Sequence, residues 1–345
     1  MADLDTADGL LPAGLPVSFP LVQAGMGGIA TPRLAAAVSE AGALGTVALY
    51  KLAADGCRAT VEDTAALTAR PFGVNVIPEV AGETLLRAQV TAAVSAMIDD
   101  RPMVLNSYGL PPAWLSSELE GSRFTLMVQV GTPDDASRAA DLGARTVVLQ
   151  GTEAGGHLLG QLPLDQLIIR TVALNAPVHL LAAGGVADGR RMRELCELGA
   201  AGWLLGTAFV AARESGAHEL YKSALIDAQG ERDTVVTDRF EIGWPRRPHR
   251  VLRSAVTDSP SALPSQFIAW TSVSGGRHPV PRGSAAAPTT ETTGRIDEMA
   301  RYAGHGCGAV RAVLPAADIV AALRESHDHA LAASLPPKES VIHGT

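Results

Sequence analysis

The chain has 345 residues, room for one large domain or two ordinary ones; 47% are hydrophobic and only 4% aromatic, so the interior must be built of Ala, Val and Leu. A formal net charge of −8 with three lysines, Lys51, Lys222 and Lys338, leaves no basic stripe for a phosphate backbone and argues against nucleic acid. The cysteines, Cys57, Cys196 and Cys307, are odd in number and far apart, which argues against a disulfide framework and a zinc site; with an acidic N-terminus and no apolar run of spanning length, a cytoplasmic protein outside the membrane is expected.

Eight short apolar runs follow in chain order, at residues 19–23, 44–49, 72–77, 103–106, 125–130, 146–150, 178–182 and 202–205. Between them lie Ala- and Leu-rich stretches with helical spacing, including 32–41, 83–98, 133–142 and 190–198. Thr31-Pro32 and Thr132-Pro133 each put a hydroxyl at a helix N-cap and a proline at the first helical position. The even spacing of eight βα units predicts an α/β fold, a (β/α)8 TIM barrel over 15–214, in preference to a doubly wound sheet. Beyond it the rhythm stops. Residues 215–294, rich in charge, proline and glycine, read as a helical and loop insertion after strand eight, near the barrel mouth. Residues 295–301 suggest a helix, AGHGCGAV from Ala303 a turn into a last helix completing the barrel by 333, and 334–345 a loose tail.

Polar and glycine residues collect just after the apolar runs, at the end of a barrel where function resides: GMGG from Gly25, NVIP from Asn75, NSYG from Asn106, QVG from Gln129, QGTEAGGH from Gln150, AAGG from Ala182 and Gly206-Thr207. Gly184 and Gly185 after the seventh run, with Gly206 and Thr207 after the eighth, offer bare amides and a hydroxyl for a phosphate dianion. Gly25, Met26, Asn75, Gln150, Gly155, Gly156 and His157 would line the rest of the mouth, a set suited to a flavin ring: amides for its pyrimidine edge, glycines for close packing on a face. Each has a plainer reading. The glycines can simply make tight turns, Asn75 and Gln150 can cap strand ends, Met26 can plug the barrel, and His157 can be an incidental loop histidine. The histidines show no metal-ligand spacing, Glu153 and Asp188 read as helix caps, and Lys51 reads as solvent-facing.

QAGMGGIATPRLAAAVSEAGALG from Gln23, FGVNV from Phe72, QGTEAGGH from Gln150, AAGGVADG from Ala182 and LLGTAF from Leu204 together resemble the nitronate monooxygenases, formerly 2-nitropropane dioxygenases, over most of residues 17–215. GWPRRPHRVLRS from Gly243 and AGHG from Ala303 are weaker echoes. The resemblance implies FMN, with Asn75, Gln150, Gly155, Gly185, Leu204, Leu205, Gly206 and Thr207 at cofactor positions and His157 at the catalytic histidine. Gly25-Met26, where the family often has Pro-Met, and ESGAHELYKSAL from Glu214 are closer to the related FMN-dependent enoyl-acyl-carrier-protein reductases, and His305 stands where a glutamine is frequent. The implied activity is oxidation of alkyl nitronates, or nitroalkanes, by dioxygen to a carbonyl compound and nitrite. Two alternatives stand beside it: an FMN-dependent NAD(P)H reductase of enoyl thioesters or quinones, and a non-catalytic flavin-binding barrel. A homodimer is compatible with the sequence.

Overall fold

The computed structural model describes residues 10–11, 15–96, 100–273 and 276–333. All eight apolar runs are strands: β1 (Leu21–Gln23), β2 (Thr46–Ala48), β3 (Gly73–Val76), β4 (Met103–Tyr108), β5 (Phe124–Val130), β6 (Thr146–Gln150), β7 (His179–Ala183) and β8 (Gly202–Leu205). They form one parallel sheet in the order β1-β8-β7-β6-β5-β4-β3-β2. A parallel bridge between Val22 and Leu44 joins its two edges and closes the barrel. Gln23, fully buried, secures that seam: its Oε1 accepts from the Thr46 amide at 3.0 Å and its Nε2 donates to the Thr46 carbonyl at 3.1 Å.

Strand periodicity divides the core. Along β6, Val148 packs inside the barrel with Val22, Leu44, Val104, Met127 and Leu181, while Val147 and Leu149 face the surrounding helices. The helices are α1 (Pro32–Glu40), α2 (Ala54–Leu67), α3 (Pro78–Ala96), α4 (Trp114–Leu119), α5 (Pro133–Asp141), α6 (Leu164–Val172), α7 (Gly189–Glu197) and the four-residue α8 (Thr207–Val210). Small residues allow them close approach: a Cβ on Gly45 would fall 1.9 Å from the Ala35 carbonyl oxygen of α1. Thr31 and Thr132 cap as expected, accepting from the Leu34 and Asp135 amides at 3.1 Å. Asp188 caps α7, and the Glu153 carboxylate accepts from Leu164 N at the start of α6. Helix α3 starts five residues earlier than its periodicity suggests, with a kink at Gly82 (φ 66°); Ile98, at the expected far end, lies outside the described residues.

The segment after β8 holds α9 (Glu219–Asp227) and α10 (Ala255–Asp258), and also strands that helix-or-loop reasoning does not anticipate. Thr234–Thr237 and His249–Leu252 pair antiparallel with each other, and the second pairs with Gly156–His157. Phe267–Val273 pairs with Gly276–Pro281 and Thr293–Gly294. Pro279 and Pro281 disguise the 276–281 strand in the sequence, yet an edge strand tolerates them because it needs few amides for the ladder. Residues 295–301 contribute only a 3-10 turn, Ile296–Glu298. After a second turn, His305–Ala309, helix α11 (Ala316–Ala332) packs against α1 and α7, completing the helical ring where α8 is short. The expected tail, 334–345, lies outside the described residues. Among the described residues no helix is long and apolar enough to cross a membrane.

Candidate active site

His157 lies seven residues beyond the end of β6 and is held by main-chain contacts on both sides. Its partner strand runs through His249 and Arg250, and Leu158 N donates to the Pro248 carbonyl at 2.8 Å. The His157 carbonyl accepts from Gln150 Nε2 at 3.0 Å and from the Tyr108 hydroxyl. Arg250, itself buried, reaches under the preceding turn and donates from Nε and Nη2 to the Thr152 carbonyl at 3.0 and 2.8 Å. The residue is thus placed by its backbone, and none of these contacts uses the imidazole.

That side chain is 5% exposed, and its Nε2 has no hydrogen-bond partner. The Trp244 indole stacks on it at 3.9 Å with 15° between the planes, and the His249 and Tyr302 rings lie at 4.9 and 5.4 Å. Burial, reinforced by the charges of His249 and Arg247, pushes the His157 pKa down to about 3, so the ring is neutral at physiological pH. His249 is lowered too, chiefly by burial; its Nδ1 pairs with the Arg247 carbonyl at 3.0 Å, and its Nε2 accepts from the Phe240 amide at 3.2 Å.

A measurable acid sensitivity follows. The unfolded chain binds a proton on this histidine below about pH 6.5, whereas the folded site refuses it until about pH 3. Stability present above pH 6.5 is therefore lost as pH falls through that window, at up to about 1.4 kcal/mol per pH unit for this one group. Urea unfolding between pH 7 and 4.5 is expected to show a slope that His157→Gln makes shallower by about one proton; equal slopes would refute the neutral, buried assignment.

The other residues singled out in the sequence divide by what occupies them. Gln150 Oε1 accepts from Leu159 N at 2.9 Å while Nε2 serves the His157 carbonyl and the Tyr108 hydroxyl, leaving one Oε1 lone pair for a ligand. Asn75 Oδ1 accepts from Asn106 Nδ2 at 2.7 Å, and Asn75 Nδ2 makes no bond to another described residue. Gly25 is glycine because Asn75 lies against it, where a Cβ would be 2.3 Å from Asn75 Cβ; Gly155 similarly admits the Ala303-Gly304 backbone. Met26 is partly buried, near Gly206. Leu204 and Leu205 are buried in β8. Lys51 is exposed, and His305 sits over the Glu153 turn, donating its amide to the Glu153 carbonyl at 2.9 Å.

Around the glycine turns the structure leaves donors open. Strands β7 and β8 are adjacent, with Ala183 beside Leu204, so their following turns lie side by side. Among the described residues the amides of Gly184, Gly185, Gly206 and Thr207 donate to no backbone carbonyl. Gly184 and Gly185 adopt φ of +118° and +67°, which favour glycine, and Gly184 borders the Ala154 turn that leads to His157. No protein neighbour demands a glycine at 206, where a Cβ would make only ordinary contacts at 3.5 Å and beyond, and a Cβ on Gly156 would meet open space. Free amides and uncrowded glycines fit a phosphate-bearing flat ligand. Among the described residues no cluster of His, Cys, Asp or Glu could hold a metal ion.

Tyr108, Trp244, His249, Arg250 and Tyr302 complete the surroundings of His157 without having been singled out from the sequence. Trp244 and His249 sit inside the GWPRRPHRVLRS stretch and Tyr108 inside NSYG, but nothing in either string says that they fold onto residue 157.

The chain matches the profile of the nitronate monooxygenase family over residues 10–326. It is 28% identical to the nitronate monooxygenase of Pseudomonas aeruginosa, covering 90% of this chain and 97% of that protein, and 29% identical to that of Paraburkholderia phytofirmans, covering 94% and 96%. Among solved structures it resembles FabK from Thermotoga maritima, with TM-score 0.74, 26% identity and coverage of 92% and 96%. It also resembles the nitroalkane oxidase from Streptomyces ansochromogenes, with TM-score 0.71, 29% identity and coverage of 92% and 98%. A family match spanning nearly all of the described barrel, together with a histidine buried beside open glycine turns at its mouth, places this chain in the nitronate monooxygenase family.

Proposed function

We propose that the protein binds FMN and uses dioxygen to oxidise alkyl nitronates to carbonyl compounds and nitrite. The amides of Gly184, Gly185, Gly206 and Thr207 would hold the phosphate, and Asn75 Nδ2 would meet the ring's polar edge. When bound, FMN supplies an electron acceptor for the substrate and a donor to dioxygen.

The observation that carries the reading is the His157 imidazole, buried and with Nε2 unpartnered; that burial holds its pKa well below the ordinary histidine value and favours the neutral ring. A neutral imidazole can offer one N–H to an anionic nitronate oxygen, and in a dry site that single hydrogen bond orients the substrate more strongly than it would in water. With a conjugate acid near pKa 3, the ring is a poor base for taking a carbon-bound proton from a neutral nitroalkane, so the preformed nitronate is the favoured substrate. Trp244 and Tyr302 exclude water from the same ring.

The likeness to FabK supports a second reading, reduction of an enoyl thioester or quinone by NAD(P)H with His157 as proton donor. A ring this reluctant to be protonated is poorly suited to that role. Aerobic incubation of the FMN-loaded protein with a primary alkyl nitronate is expected to release nitrite without NAD(P)H. NAD(P)H-dependent reduction of an enoyl thioester with no nitrite from any nitronate would transfer the assignment to the reductase.

A further inference from the structure

In a chain with 4% aromatic residues, the rings are unevenly placed. Three of the four tyrosines, Tyr50, Tyr108 and Tyr302, and one of the four tryptophans, Trp244, gather around His157 or around the indole that covers it. Trp244 is central: besides stacking on His157, it lies 6.1 Å from the Tyr50 ring and 5.5 Å from that of Tyr108. It is 7% exposed, and its Nε1 has no hydrogen-bond partner. Filling a core would not require leaving an indole N–H unpaired beside an unpaired imidazole nitrogen, since a buried polar group without a partner is destabilising.

The backbone carrying Trp244 is anchored on both sides. Trp244 N donates to the Glu241 carbonyl at 3.0 Å, and Ile242 exchanges backbone hydrogen bonds of 2.9 Å with Gly283 and Ala285. On the other side Arg247 pairs with Glu79 of α3 at 2.9 Å. Gly243 and Arg246, flanking the indole, adopt φ of +97° and +64°; for an arginine that conformation is costly and marks a turn held in shape by its surroundings. An anchored ring acts as a wall.

We infer that Trp244 is the specificity-determining wall of this site: its indole fixes the space beside the His157 imidazole and restricts substrates to nitronates with short alkyl chains. This inference rests on the proposed function, in which His157 meets the nitronate. Removing part of the indole lengthens the room available along the alkyl chain, and each methylene then accommodated in an apolar pocket improves binding by about tenfold or more.

The test uses straight-chain carboxylates, which share the nitronate's planar pair of oxygens, as calorimetric probes of the FMN-loaded protein, alongside nitrite release from nitronates of the same chain lengths. Trp244→Leu is expected to raise the hexanoate-to-acetate affinity ratio by at least about tenfold and to shift kcat/KM toward longer nitronates. Trp244→Phe, which keeps one ring, is expected to fall between it and the unaltered protein. An unchanged ratio in a cooperatively melting Trp244→Leu protein would overturn the inference; should that variant not fold, an unchanged ratio in Trp244→Phe would do so. The two readouts separate the claims. A shifted carboxylate ratio without nitrite from any nitronate would leave the wall standing and remove the proposed function, and nitrite release with an unshifted ratio would do the reverse.

Discussion

Replacing His157 with asparagine is expected to lower nitronate turnover by about 10²- to 10⁴-fold, the range for losing a positioned polar catalytic group, while leaving FMN content near that of the unaltered protein. The two effects separate because the strand around residue 157 is held through its main chain. The His157 carbonyl accepts from Gln150 and Tyr108, and the backbone pairs with the strand of His249 and Arg250, so none of these contacts needs the imidazole. The open amides proposed to hold phosphate belong to the turns after β7 and β8 and are likewise independent of it. Retained turnover in His157→Asn would remove this histidine from the chemistry, whereas an unaltered, FMN-loaded protein that turns over no nitronate and no enoyl thioester would favour the third possibility, a non-catalytic flavin-binding barrel.

Gly185→Asp is expected to bind FMN at least tenfold more weakly than Gly185→Asn, judged by the flavin retained through gel filtration and by titration of the apoprotein. The pair isolates charge. Gly185 has φ +67°, a conformation Asn and Asp both tolerate better than other side chains, and a Cβ there would approach Glu153 Cβ to 3.2 Å in either variant. Backbone strain and crowding are therefore shared, and a carboxylate facing a phosphate dianion is the difference; like charges in close contact cost several kcal/mol. Melting curves of the two variants show whether aspartate also disturbs the fold through its neighbour Glu153. Equal FMN affinity in the two would place the phosphate elsewhere.

The barrel was legible because its signals are local and repeated. Each strand is a short apolar run followed by glycine or a polar residue, and each well-marked helix has a cap such as Thr31-Pro32 or Thr132-Pro133 written beside it. The second half offered no such rhythm: His249–Leu252 carries a buried arginine and histidine, and Gly276–Pro281 contains two prolines, so neither reads as a strand until its partner is known. His157 and the glycine turns lie on single loops and could be picked out. Trp244 and Tyr302 could not, because they reach His157 across 87 and 145 positions of chain through a sheet that only the folded structure reveals. The shift of His157 away from its ordinary pKa of about 6.5 was hidden for the same reason, since it comes from burial beneath those rings. Gly25 shows the converse: its place at the mouth was readable, whereas its packing against Asn75 was not.

In the proposed function the barrel holds a flavin that takes electrons from a nitronate beside His157. The most direct measurement is the absorbance spectrum of the purified protein without oxygen, before and after addition of propionate 3-nitronate and, separately, of NADH. Flavin bands that change with the nitronate alone are the predicted result. A spectrum without flavin bands, even after FMN has been supplied, would rule out a flavin in this barrel and with it the proposed nitronate oxidation.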